Sequence, residues 1–215
     1  LLVFGDLNGQ NHYRITRYLE DGSVDPAFGN RQYDPGVHGY PYDIGRSLFV
    51  RDDGDILLVG KSRNNAAFNT YRIDQGGNYE SQTNVDFPQD HEYVHSALGL
   101  PDGKLLIIGN EGNGSNKQVA ITRHHFDGTL DNTFGTDGKV NLGVLNDADE
   151  GYSAALQADG KILVSGGSWN GANWDISLIR MTYDGVLDGT LTADGTPKLG
   201  IDVESAGRDD FGYSI

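Results

Sequence analysis

One short apolar run, closed by glycine, returns four times along the chain: Leu1-Leu2-Val3-Phe4-Gly5, Ile56-Leu57-Leu58-Val59-Gly60, Leu105-Leu106-Ile107-Ile108-Gly109 and Ile162-Leu163-Val164-Ser165-Gly166. The closing glycines lie 55, 49 and 57 residues apart. The last three runs each follow an Asp-Gly pair (Asp53-Gly54, Asp102-Gly103, Asp159-Gly160), and ahead of that pair apolar and polar residues alternate, as in Ser153-Ala154-Ala155-Leu156-Gln157. Alternation, Asp-Gly and then a β-rich run is a hairpin signal.

After each run comes an Asn-rich turn, at Asn8-Gly9, Asn64-Asn65, Asn113-Gly114 and Asn170-Gly171, followed by an alternating stretch that ends on Arg17, Arg72, Arg123 or Arg180. Five residues beyond each arginine stands Gly22, Gly77, Gly128 or Gly185, and eight beyond stands Asp25, Glu80, Asp131 or Asp188. The copies therefore share one frame of four short strands joined by turns, with no helix. One such meander cannot bury both of its faces, so copies must stack. The expected fold is an all-β β-propeller of four-stranded antiparallel blades, four repeats in this chain, with a β-sandwich as the main competitor.

The segments Leu100-Pro101-Asp102-Gly103-Lys104-Leu105-Leu106-Ile107-Ile108-Gly109 and Ile121-Thr122-Arg123-His124-His125-Phe126-Asp127-Gly128-Thr129-Leu130-Asp131-Asn132-Thr133-Phe134-Gly135 resemble the delta-60 repeat of bacterial surface and secreted proteins, as does Tyr18 to Gly29. The second copy departs at Asp74-Gln75-Gly76-Gly77-Asn78-Tyr79 and lacks the Phe-Gly; the fourth has Leu191-Thr192 there. The resemblance implies a propeller-like array outside the cell and carries no general activity.

Serines expected to begin each first strand are Ser47, Ser96, Ser153 and Ser214, and the first three stand nine residues ahead of the next apolar run. The chain is thus expected to form a single domain over 1–215, with repeats at about 1–46, 47–95, 96–152 and 153–213. Residues 214–215 would start the strand that closes on 1–5, within a monomer or with a second chain, unless the piece is a propeller segment cut from a longer array. The opening Leu1-Leu2-Val3-Phe4 has neither an initiator Met nor a signal-peptide pattern, and reads as a processed piece.

Composition narrows the partners. The chain has 31 Asp+Glu against 16 Lys+Arg, a net charge of −15, which disfavours nucleic acid and anionic membrane. No apolar run approaches the roughly 18 residues of a spanning helix. Zero cysteines exclude disulfides, thiolate metal sites and thiol catalysis. The 31 glycines, about twice the ordinary share, punctuate turns.

Two candidate sites remain, both on the face that should carry the Asn-rich loops and the long connections. Trp169 and Trp174 flank the turn at Asn170, a composition suited to a sugar or peptide platform; packing of the rings on a neighbouring blade is the structural alternative. Four residues before each serine stands an acid, Asp43, Glu92, Asp149 or Asp210. Ringed around a channel mouth, these could hold Ca²⁺, whereas capping a turn or pairing with arginine is the structural alternative. The recurring arginines and the acids eight residues on read as fasteners. His91 and His95 do not sit in helical H-E-x-x-H geometry, and no Gly-x-Ser-x-Gly elbow or phosphate loop occurs, so no catalytic residue is assigned. The expected role is a non-enzymatic binding or scaffold module of a larger bacterial secreted or cell-surface protein, recognising a glycan or protein through the long-loop face, with a divalent cation at the mouth as a further expectation. An acidic propeller hydrolase acting on carbohydrate is the enzymatic alternative.

Overall fold

Period-two alternation between glycine turns leaves each repeat one way to satisfy its backbone, an antiparallel meander. A computed structural model describes residues 1–7, 10–33, 44–62, 67–87, 91–143, 148–192, 198–201 and 208–215. The first sheet has three strands in the order β1 (Leu2–Leu7), β2 (Gln10–Arg17), β3 (Asn30–Tyr33). The second runs β4 (Ile44–Val50), β5 (Ile56–Ser62), β6 (Ala67–Ile73), β7 (Tyr79–Val85). The third runs β8 (Tyr93–Gly99), β9 (Leu105–Glu111), β10 (Gln118–His124), β11 (Lys139–Leu142), and the fourth β12 (Asp149–Leu156), β13 (Ile162–Trp169), β14 (Trp174–Met181), β15 (Lys198–Ile201). All pairings between these strands are antiparallel. The only helical element among the described residues is a 3₁₀ turn at Gly114–Asn116, so none of them forms a helix able to cross a membrane.

The hairpin turns follow the repeat. Gly54, Gly103 and Gly160 donate their N–H groups to the carbonyls of Arg51, Leu100 and Gln157, with φ of 90°, 80° and 82°. The preceding aspartates accept the next N–H, at 3.2 Å from Asp55, Lys104 and Lys161. Asp-Gly recurs because the turn needs both a local acceptor and a left-handed residue.

Two compact units are present. One comprises Leu1–Phe87 with Phe126–Thr129, and its core is Ile15, Phe28, Ile56, Leu58, Tyr71 and Ile73. The other comprises Pro88–His125 with Leu130–Ile215, where Leu106, Ile108, Val119 and Ile121 of the third sheet pack with Ile162, Val164 and Ile179 of the fourth. Burying a side chain of this size stabilises the fold by roughly 1.5–3 kcal/mol, which accounts for the return of an apolar run in every repeat.

The first strands of the second, third and fourth sheets begin earlier than the serines suggested. β4 and β8 start three residues ahead of Ser47 and Ser96, and β12 starts four ahead of Ser153. In all three the ladder slips at the residue before the serine, between Gly45 and Ser47, Val94 and Ser96, and Gly151 and Ser153. Arg46, His95 and Tyr152 are thus β-bulges at one repeat address, which the sequence pattern had concealed by making the serine look like a strand start.

Candidate functional site

A bulged residue is unpaired and its side chain is re-aimed relative to the regular strand. The bulge also accounts for the repeat's closing glycine: a methyl group on Gly166 would lie 1.8 Å from the Glu150 carbonyl oxygen. Gly151 and Gly212 occupy matching positions two residues before Ser153 and Ser214. A methyl on Gly151 would stand 3.2 Å from the Gly109 oxygen, and one on Gly212 would stand 3.3 Å from the Gly166 oxygen. Residues 208–213 therefore lie on the fourth sheet as β12 lies on the third. Gly212 N–H donates to Gly166 O at 3.0 Å and Asp210 N–H to Trp174 O at 2.7 Å.

This docking brings the bulge side chains together. His95 meets Tyr152 edge to face with centroids 4.8 Å apart, and Tyr152 meets Tyr213 at 5.0 Å and 36°. Tyr213, the residue before Ser214, shares their repeat address. The Tyr152 hydroxyl donates to Glu150, which also pairs with Lys117. Burial works to raise the Glu150 pKa, but the hydrogen bonds from Lys117 and Tyr152 outweigh it and hold the carboxyl below its ordinary range. Burial, followed by the bond to Glu150 and its charge, pushes the Tyr152 phenol far upward, so it remains a donor. A ring nitrogen of His95 lies 2.8 Å from the Asn110 side-chain oxygen.

From Tyr213 the rings continue to the tryptophans. Phe211 stacks on Tyr213 at 5.5 Å and 30°, and lies 5.6 Å from Trp174. Trp169 and Trp174 are direct partners across β13 and β14, edge to face at 6.1 Å and 67°. With Gly114, Ser115 and Ala148 they line a pocket of about 290 Å³. The pocket is thus made of the turn between β13 and β14, the connection between β9 and β10, and the lead into β12. Anchors hold its wall: Trp169 N–H donates to Ala148 O at 2.8 Å and Trp174 N–H to an Asp209 carboxylate oxygen at 3.0 Å.

Both tryptophans are half-buried at this pocket. The Asn170 side chain is engaged by its own turn, accepting the N–H groups of Ala172 and Asn173 and donating to Asp175. Of the acids expected at a channel mouth, Asp43 lies outside the described residues. Glu92 and Asp149 are buried. Asp149 accepts the Ser168 hydroxyl, while Asp210 is half-buried. No three His, Asp or Glu side chains are grouped to hold a metal ion among the described residues.

The arginine and the acid eight residues on do form pairs: Arg17–Asp25 at 2.7 Å, Arg72–Glu80 at 2.9 Å, Arg123–Asp131 at 2.7 Å and Arg180–Asp188 at 2.8 Å. Arg17 and Arg123 also reach a hairpin carbonyl of the next sheet, Gln75 O at 2.8 Å and Tyr183 O at 2.5 Å. These are the fasteners that the repeat spacing indicated. The bulge residues and Phe211 were missed, although the identity of the residue before each serine was a usable signal.

The sequence matches the family described as Domain of unknown function (DUF5122) beta-propeller over residues 1–28, 100–134 and 157–190, under half of the chain. These segments hold two of the three Asp-Gly hairpins and three of the four Arg–acid pairs. No curated protein matches. Among solved structures, a protein of unknown function from Bacteroides caccae is similar at 14% identity and a TM-score of 0.43, over 80% of this chain and 54% of its own. A mutant puromycin hydrolase complexed with PGG is similar at 16% identity and a TM-score of 0.48, over 82% of this chain and 28% of its own. The chain thus spans about half the length of the first and little more than a quarter of the second.

Proposed function

We propose that the chain is a non-enzymatic, glycan-binding module of a larger bacterial secreted or cell-surface protein, its sheets serving as blades of a β-propeller of the delta-60 repeat kind. The observation that carries the binding role is the pocket of about 290 Å³ walled by Trp169 and Trp174. Two half-buried indole rings beside small residues offer apolar faces with a polar edge, the surface on which a sugar ring stacks through its C–H face. The net charge of −15 favours a neutral ligand over an acidic one.

Screening on an array of neutral glycans, followed by titration calorimetry on the best binder, tests this reading. Wild-type protein is expected to bind at least one neutral glycan, and Trp174→Ala to weaken that binding tenfold or more while the far-UV circular dichroism is kept. Absence of binding across the array, or binding indifferent to both Trp169→Ala and Trp174→Ala, overturns it.

A further inference from the structure

The pocket is one end of a longer row of rings. From Trp174 the row passes to Phe211, Tyr213 and Tyr152, with successive centroids 5.6, 5.5 and 5.0 Å apart and interplanar angles of 35°, 30° and 36°. Buried rings more often meet edge to face or offset, as core packing dictates; here successive planes turn by 30–36° each, a gradual fan that sets Phe211 and Tyr152 66° apart. Its third member, Tyr213, is 67% exposed, although a large ring left in water forgoes the stabilisation of burial.

The row is built into the backbone. Asp210 N–H and Gly212 N–H donate to Trp174 O and Gly166 O, and the Asn173 side-chain amide donates to Arg208 O at 2.8 Å. Phe211 and Tyr213 are thus held on alternate residues of an extended segment, on one side of it. Gly167 leaves room beneath: a methyl there would lie 2.8 Å from the Phe211 ring and 3.2 Å from the Trp174 ring. Rings fixed in this way lose little conformational freedom when a ligand arrives. Glu150 beside the row is paired with Lys117, and the Asp209 carboxylate that accepts the Trp174 N–H leaves negative charge at the row's other end. That charge disfavours an anionic ligand.

We infer that Trp174, Phe211, Tyr213 and Tyr152 form one extended platform continuous with the Trp169–Trp174 pocket, and that its ligand is a neutral oligosaccharide several units long rather than a single terminal sugar. The inference rests on the pocket being a glycan site. Repeat logic supports it: the bulge address holds Arg46, His95, Tyr152 and Tyr213, three chemistries on an otherwise repeated frame, and in the second unit three of these side chains touch in series.

Calorimetric titration with chito-oligosaccharides and cello-oligosaccharides of one to six units separates the two claims. Wild-type affinity is expected to rise at least tenfold between two and six units. Tyr213→Ala should remove that gain and leave the two-unit affinity unchanged, whereas Trp174→Ala weakens every length. Gly167→Ala, which displaces Phe211 without deleting a ring, should reduce the gain in the same direction. Equal affinity for all lengths, or an equal loss at all lengths in Tyr213→Ala, overturns the platform but leaves the pocket standing. Failure of every length to bind, or binding of a proline-rich peptide in place of any sugar, overturns both.

Discussion

The arginine that ends one strand of every repeat and the bulged residue on the first strand of the sheets occupy equally regular addresses, yet only the first keeps its chemistry. Arg17, Arg72, Arg123 and Arg180 each hold the acid eight residues on. The bulge address carries Arg46, His95, Tyr152 and Tyr213 instead. A guanidinium fork satisfies a carboxylate and a hairpin carbonyl together, a geometry that other side chains cannot reproduce. A bulge asks only that the backbone slip, and the glycine opposite makes the slip possible, so its side chain is free to vary. Repetition of residue marks the scaffold here, and repetition of address with changing residue marks the surface open to specialisation.

The largest effect should come from the scaffold element that makes the bulge possible. Gly166→Ala places a methyl 1.8 Å from a backbone oxygen, which no rotamer can relieve, and should cost more than about 4 kcal/mol. Loss of the cooperative transition in urea is the expected readout. Within the arginine series the cost should follow burial. Arg123 is 1% exposed, stacked between Phe134 and Tyr183, and its loss should cost about 3 kcal/mol; Lys104, 3.0 Å from Asp131, keeps that carboxylate from being stranded. Arg180 and Arg17, with side chains 16% and 31% exposed, should cost about 1 kcal/mol or less. Equal destabilisation by Arg123→Ala and Arg17→Ala would break the argument that burial sets the value of the fastener.

The same pairs give the scaffold a pH signature. Burial opposes the charge of Asp131, but hydrogen bonds from Thr133, Lys104 and Arg123 overcome it and hold the carboxyl well below 3.8. Asp188 is held down by Thr190 and Lys161. Because the folded-state values lie below the unfolded ones, the unfolded chain takes up protons first. This contribution is complete above about pH 5 and is lost progressively as pH falls below it. Denaturation midpoints should be flat in this contribution above pH 5 and decline towards pH 2, and Asp131→Asn should make that decline shallower.

Strand order within each repeat, the turns and the Arg–acid fasteners were legible because each depends on residues at fixed short separations: Asp102 with Gly103, Arg123 with Asp131. The bulges were not, since a one-residue slip leaves alternation intact on either side of it and Ser96 looks like a strand start whether or not His95 is paired. Trp169 and Trp174 were found through their proximity in sequence, and their directly opposed register brings the rings together. Phe211 was not found, because its neighbour Trp174 is 37 residues away and meets it only through the docking of residues 208–213. For the acids at 43, 92, 149 and 210, regular spacing gave no guide to burial: Asp149 turns towards Ser168 inside the fourth sheet.

The smallest expected effect is the sharpest test of the contrast. Tyr213 is 67% exposed, and its contacts are rings that remain packed on one another without it, Phe211 on Trp174 and His95 on Tyr152. The backbone bonds of Asp210 and Gly212 that seat the segment do not involve its side chain. Tyr213→Ala should therefore change stability by no more than about 0.5 kcal/mol, against about 3 kcal/mol for Arg123→Ala, although both positions recur in the repeat frame. A chemical denaturation curve superimposable on wild type, in a variant that has lost its preference for longer oligosaccharides, would place this bulge address on the side of recognition. A destabilisation comparable to that of Arg123→Ala would instead return Tyr213 to the scaffold.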